Sequence, residues 1–291
     1  MIRFVGISLL LACACARSAE TNVTSGWLRV GVIQMSLGRT IAQNRNRILV
    51  GISSAATRGV RVAVFPEGAL RGTDGNQPAL VEQAVSAIQR AAHEAKLFVG
   101  FGGSTYSARL KKDANWMQVI GPDGRDPVTM WFGVKGVPAV VTIGRDGLWT
   151  ELAELAAVVG AQVHVHLDHD SADTPEARLQ RLQVWSNLAS FQTFTATANV
   201  LGSAIWDDLR GLDERRAEVE GRPHPDTGVV EVYSPFSANL VVCAAVGQQL
   251  IIATRRVGPA NLYHPRRTSN FNPQMDAWYR LGATTVCPKS N

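Results

Sequence analysis

Short apolar runs rich in β-branched residues alternate with amphipathic stretches along this chain, and that alternation constrains its fold more than any other feature. Leu28-Arg-Val-Gly-Val-Ile-Gln-Met35 has the period of a strand, Asn44 to Arg58 repeats apolar residues at helical spacing, and Val60-Arg-Val-Ala-Val-Phe65 is a second strand stopped by Pro66. Pro78 to Ala95 predicts a long helix and Leu97 to Phe101 a third strand. Trp116 to Ile120, closed by the turn Gly121-Pro-Asp-Gly124, predicts a fourth. The pattern continues with the strand Val137 to Ile143, the helix Trp149 to Val159 and the strand Ala161 to Leu167. It goes on with the helix Glu176 to Ser190, begun by Pro175 and capped by Asp173, and the strand Thr193 to Ala198. Gly228 to Val232, Ala238 to Val246 and Leu250 to Ala253 add strands, and the charged stretch Arg210 to Arg222 reads as a solvated loop or short helix. Strands alternating with helices imply an α/β fold. At 291 residues, 46% hydrophobic and 18% charged, the chain is neither disordered nor fibrous.

The N-terminus reads as an address. Met1-Ile-Arg3 precedes the apolar run Phe4 to Ala14, which predicts a signal peptide over residues 1–19. The run is shorter than the roughly 20 residues of a membrane-spanning helix. Leu10-Leu-Ala-Cys13 also resembles a lipoprotein signal, with Cys13 as the lipid-bearing residue, so simple cleavage and a lipid anchor both stay open. Either way the protein is expected to be exported, to a periplasmic, extracellular or lipid-anchored location. Outside the signal, Cys243 and Cys287 remain. A disulfide between them is permitted, although Cys243 lies in the apolar run Leu240 to Val246 and reads as a buried thiol. The formal charge of +5 is scattered, with no run of Lys and Arg, which points away from a nucleic-acid partner.

The order of segments is more specific than the class. Arg29-Val-Gly-Val-Ile-Gln34, a helix, and then Val62-Ala-Val-Phe-Pro-Glu-Gly68 resembles the opening of the carbon–nitrogen hydrolase (nitrilase) superfamily. Asn115 to Arg125 is similar to that family's hairpin, Ile143-Gly-Arg-Asp-Gly-Leu-Trp-Thr-Glu-Leu-Ala153 to its nucleophile elbow, and Gly160 to His166 to the strand that follows. Trp185 to Ser203 and Phe271 to Tyr279 resemble its later segments. The resemblance implies one nitrilase-like domain over 28–285, a four-layer α-β-β-α sandwich, a homo-oligomer, and a small amide- or nitrile-like ligand. It also implies a Glu base, a Lys and a Cys nucleophile that passes through a thioester. Glu67 matches the base. Gly144 stands at the nucleophile position and has no side chain with which to form a thioester. The strand expected to carry the Lys, Pro127 to Phe132, has none, and Lys135 is the nearest substitute cation. A pseudoenzyme with a binding or assembly role is therefore expected, with Asp146, Arg145 and Asp168 lining the cleft. Arg145 suggests either an anionic ligand or a pair with Asp146 or Glu67.

A second cluster is not part of the resemblance. On a strand, His164, His166 and Asp168 project from one face, where they either ligate Zn or Mn or hydrogen-bond internally. With a metal, or with a water activated near Lys135, Glu67 would serve an active hydrolase of altered mechanism. Thr142 and Ser171 are the other hydroxyls considered as nucleophiles, and neither has a His at a recognisable spacing. Trp149, Trp185 and Trp206 are expected in the core.

Overall fold

The computed structural model of the chain describes residues 26–75, 77–107, 112–125, 139–158, 161–170, 174–189, 193–208, 216–220, 238–244 and 249–257. The signal region, Lys135, Ser171, Asp173, Gly228 to Val232, Phe271 to Tyr279 and Cys287 lie outside them.

Among the described residues, two sheets and four α-helices make four layers. The first sheet has the order β4-β3-β2-β1-β11-β9, and the second β10-β8-β7-β6-β5. In the first, β1 (Gly26–Gln34), β2 (Val62–Val64) and β3 (Phe98–Ser107) run parallel. β4 (Lys112–Ile120), β11 (Gln249–Val257) and β9 (Arg216–Glu220) join antiparallel. In the second, β5 (Ala139–Ile143), β6 (Val163–Leu167) and β7 (Phe194–Ala198) run parallel, and β8 (Ala204–Asp208) and β10 (Ala238–Cys243) are antiparallel.

Strand alternation assigns each residue to a layer. Leu28, Val30, Val32, Val62 and Val64 of the first sheet meet Val141, Val163, Val165, Leu167, Phe194 and Ala196 of the second in one buried core. The opposite face of the first sheet, with Ile33, Ala63, Phe65, Val99 and Phe101, packs on α1 (Ile41–Thr57) and α2 (Pro78–Ala95). The opposite face of the second packs Val140 on Ala156, and Trp206 on Val184, Trp185 and Leu188. These partners belong to α3 (Thr150–Val158) and α4 (Pro175–Ala189). Each fully buried large side chain contributes about 1.5–3 kcal/mol. Helix ends follow local chemistry: Thr40 and Gln43 form a capping box on α1, Pro78 opens α2, and Lys96 ends it in the left-handed region at φ 56°.

The structure departs from the expectations in four places. Arg216–Glu220 is a strand rather than a loop or helix, because Arg-Ala-Glu-Val-Glu alternates and pairs with the edge that β11 offers. Ala204–Asp208, read as no element, is β8. Its hairpin with β7 turns through Gly202 at φ 86°. Trp149 is 63% exposed, since it caps the end of a 3-10 turn rather than facing a layer, whereas Trp185 and Trp206 are buried. Thr174 caps α4 by accepting from the Ala177 N–H (3.2 Å).

Gln34 ends β1 and bridges the sheets. Its Oε1 accepts from the backbone N–H groups of Gly202 (2.7 Å) and Ser203 (2.8 Å). Replacing it with Leu strands these donors at a buried site, at about 1–3 kcal/mol for each donor left unpaired. We expect Gln34→Leu to lower the urea midpoint at an unchanged denaturant slope, a comparison that equilibrium unfolding makes directly.

Candidate active-site cleft

Glu67 sits where β2 stops. Pro66 cannot continue the ladder, and the chain turns, with Ala69 N–H donating to Pro66 O (3.0 Å) and Arg71 N–H to Gly68 O (2.9 Å). Both sheets hold this turn. Leu70 N–H donates to Gly102 O of β3 (2.8 Å), and Glu67 N–H donates to Asp168 O just past β6 (3.1 Å). Gly102 permits the approach: a Cβ there would fall 2.4 Å from Glu67 O and 2.9 Å from Glu67 Cα. Nothing in the sequence marks Gly102, because the constraint is a contact between strands distant along the chain.

The Glu67 side chain is only 6% exposed, and its Oε1 accepts from Asn115 Nδ2 of β4 (2.5 Å). Burial, followed by the charge of Asp168, pushes its pKa up to about 7. Asp146 adds to the rise, while the Asn115 hydrogen bond and Arg71 oppose it. Asn115 is a second functional position that sequence reading missed.

Gly144 opens the 3-10 turn Gly144–Leu148 directly after β5, at φ 53°. A Cβ placed on it would lie 2.9 Å from Glu67 Oε2 and 3.2 Å from Oε1, so position 144 faces the carboxylate. Asp146 is half-buried, which raises its pKa, and its Oδ2 accepts from Ile143 N–H (3.4 Å). Arg145 is exposed, and neither Asp146 nor Glu67 pairs with it: the Ile143 and Asn115 N–H groups supply their hydrogen bonds instead.

Asp168 reaches the same cleft from β6. Burial raises its pKa, opposed by the His169 backbone bond (2.8 Å) and by the charges of His169 and Arg181. Asn199 organises the surroundings. Its Nδ2 donates to Asp168 Oδ2 (3.4 Å) and Asp170 Oδ2 (2.9 Å), and its Oδ1 accepts from the Asp170 and Leu201 N–H groups. Arg181 from α4 pairs with Asp170 (2.5 Å) and donates to Leu201 O.

The structure does not gather His164, His166 and Asp168 into one ligand set. His164 and His166 are fully buried on the helix-facing side of the second sheet, where His164 Nε2 and His166 Nδ1 each lie 2.9 Å from Thr142 Oγ1. Asp168 lies past the strand end with Asn199, in the cleft. Among the described residues, no group of three or more His, Cys, Asp or Glu side chains is placed to hold a metal ion. The pairing of Thr142 with two histidines was invisible in sequence, since parallel-strand register alone brings Thr142 beside His166.

With this geometry in view, the comparisons with known proteins are informative about the fold. No protein-family profile and no curated sequence matches the chain. The structure is similar to those of an amidase from Nesterenkonia sp. of the nitrilase superfamily. A cysteine-to-alanine variant of that amidase in complex with butyramide matches at a TM-score of 0.58 with 12% identity, covering 86% of this chain and 97% of that one. A second structure matches at 0.56 with 12% identity, covering 86% and 95%, and shows covalent addition of the acetamide moiety of fluoroacetamide at that amidase's active-site cysteine. The chain has the carbon–nitrogen hydrolase fold, an α/β sandwich. Among the described residues, no helix is long and apolar enough to cross a membrane.

Opposite titrations bound the stability of this arrangement. Burial depresses the pKa of His164 and of His166 from 6.5 to about 3, with the neighbouring His166 adding to the effect on His164. Their contribution is complete above pH 6.5 and lost as pH falls toward 3. Glu67 is raised from 4.5 to about 7, so its contribution is complete below pH 4.5 and lost as pH rises through 7. We expect Glu67→Gln to flatten the alkaline loss of stability and leave the acid loss in place, as read from urea midpoints between pH 4 and pH 9. We also expect Gly102→Ala to push the Glu67 turn away from β3, since backbone cannot yield as a side chain tip does. Lower stability of roughly 1–3 kcal/mol, measured by thermal unfolding, checks this.

Proposed function

We propose that this protein is an exported relative of the carbon–nitrogen hydrolases that binds a small amide- or nitrile-like molecule beside Glu67 without cleaving it through a cysteine thioester. One observation carries the reading: the position facing the Glu67 carboxylate is Gly144, and Glu67 Oε2 already occupies the space next to its Cα. A thioester needs a sulfur there. Cys243 is on β10, at the opposite edge of the second sheet from β5. Losing the nucleophile of a catalytic unit removes about 10⁴–10⁶ of its rate. Glu67, Asp168 and Asp146 crowd carboxyl groups into the cleft, which favours a neutral amide-like ligand over an anionic one.

The reading includes export, which rests on the N-terminal sequence alone, and a homo-oligomer, which rests on resemblance. The altered-mechanism hydrolase remains the second reading: His164 and His166 are buried on the helix-facing side of the second sheet rather than with Asp168 in the cleft, and Lys135 lies outside the described residues. We expect no ammonia release above background from a panel of amides and nitriles, and a rise in melting temperature with butyramide that Glu67→Ala abolishes. Turnover that disappears in Glu67→Ala would overturn the proposal. Intact mass of protein recovered from an export-competent host reads out whether residues 1–19 are removed and whether Cys13 carries lipid.

A further inference from the structure

The helix-facing side of the second sheet is unusually polar for a buried layer. Thr142, His164, His166, Thr195, Thr197 and Trp206 all lie on it, each almost wholly buried. Strand register sets His164, Thr195 and Trp206 in one row across β6, β7 and β8. Thr142, His166 and Thr197 form the next row. Three nitrogens on this face, His164 Nδ1, His166 Nε2 and Trp206 Nε1, are buried without a hydrogen-bond partner. An isolated orphan is an irregularity. Three on one face ask for a common cause, because each unpaired buried polar atom costs about 1–3 kcal/mol.

Proton accounting identifies the occupant. Thr142 Oγ1 is within 2.9 Å of both His164 Nε2 and His166 Nδ1. A hydroxyl can accept twice and donate once, and Thr142 Oγ1 has no other partner among the described residues, so its proton is satisfied only if it donates to one imidazole and accepts from the other. If His164 donates from Nε2, then Thr142 donates to His166 Nδ1, and His166 carries its proton on Nε2. If His166 donates from Nδ1, then His164 carries its proton on Nδ1. Both histidines therefore share one tautomer in either case, and their outward nitrogens always comprise one N–H donor and one bare acceptor. Burial keeps both rings neutral, which this accounting requires. Trp206 adds a second N–H.

The geometry points to an internal hydration site between the second sheet and the α3–α4 layer, organised by the Thr142 hydroxyl and occupied by water. The occupant must both accept from N–H groups and donate to a bare nitrogen. An anion without a proton of its own cannot donate, and a metal ion cannot satisfy an indole N–H. A metal on the two outward nitrogens would also turn both inner N–H groups onto Thr142 Oγ1 and leave the hydroxyl proton without an acceptor among the described residues. Water meets each demand. The site lies beneath the turn that carries Gly144: a Cβ on Gly147 would fall 2.8 Å from His166 Cε1 and 3.0 Å from His166 Nε2. Its occupancy therefore supports the turn facing Glu67, independently of whether that cleft binds an amide.

The test uses the full chain labelled with ¹⁵N-histidine. Long-range proton–nitrogen spectra, assigned through His164→Gln and His166→Gln, should show residues 164 and 166 neutral and in the same tautomer from pH 5 to pH 8. Thr142→Ser should keep that match and Thr142→Val should abolish it. If the valine variant does not fold, wild type and the serine variant decide. Cross-relaxation from the Trp206 indole proton and the histidine ring N–H to long-lived water should be present. Opposite tautomers, a charged ring at pH 7, or no such water would overturn the site. So would stoichiometric zinc binding by wild type that His166→Gln removes.

Discussion

The hydrogen bond from the Glu67 N–H to the Asp168 carbonyl fastens the carboxyl end of one sheet to that of the other, and the geometry of the cleft depends on it. A sandwich of two sheets is held by apolar burial, which is strong but not directional. Burial of Val32, Val64, Val165 and Leu167 between the sheets brings the layers together without fixing where their ends meet. The directional bonds do that. Gln34 accepts from Gly202 and Ser203, and Glu67 donates to Asp168, so β1, β2, β6 and the β7–β8 turn end at one place. A side chain on Gly102 would obstruct this closure, and one on Gly202 would meet the Arg181 side chain at a backbone φ of 86°.

Drawing the strand ends together also concentrates carboxyl groups. Glu67, Asp168 and Asp146 share a poorly solvated region, with Arg71 and Arg181 acting in the opposite sense. Glu67 answers by holding its proton to near neutral pH, which makes it a hydrogen-bond donor as readily as an acceptor. Asn115 and Asn199 satisfy oxygens without adding charge. The wall of the cleft is thus polar, with its carboxyl groups held partly protonated by burial.

Much of this was legible in the residues. Alternation of apolar positions marks β1, β2, β6 and β7, and helical spacing marks α1 and α2, since burial on one face leaves a periodic trace. The segment Phe65-Pro-Glu67 and the missing side chain at Gly144 were equally plain. Edge elements were harder. The β9 strand is mostly charged and gains its place from pairing with β11, and β8 follows a turn whose glycine gives no hint of what comes next.

By itself the sequence determined the class of fold, the place of Glu67 after Phe65-Pro66 and the absence of a side chain at position 144, because residue identity and periodicity are local properties of the chain. Only the tertiary structure decided which groups meet. It set Asn115 on Glu67, separated Asp168 from the two histidines, and placed Thr142 between His164 and His166. Register between strands, the pleat that sends neighbouring side chains to opposite layers, and the close approaches that glycine allows are all relations between distant segments. They exist only once the two sheets have closed on one another.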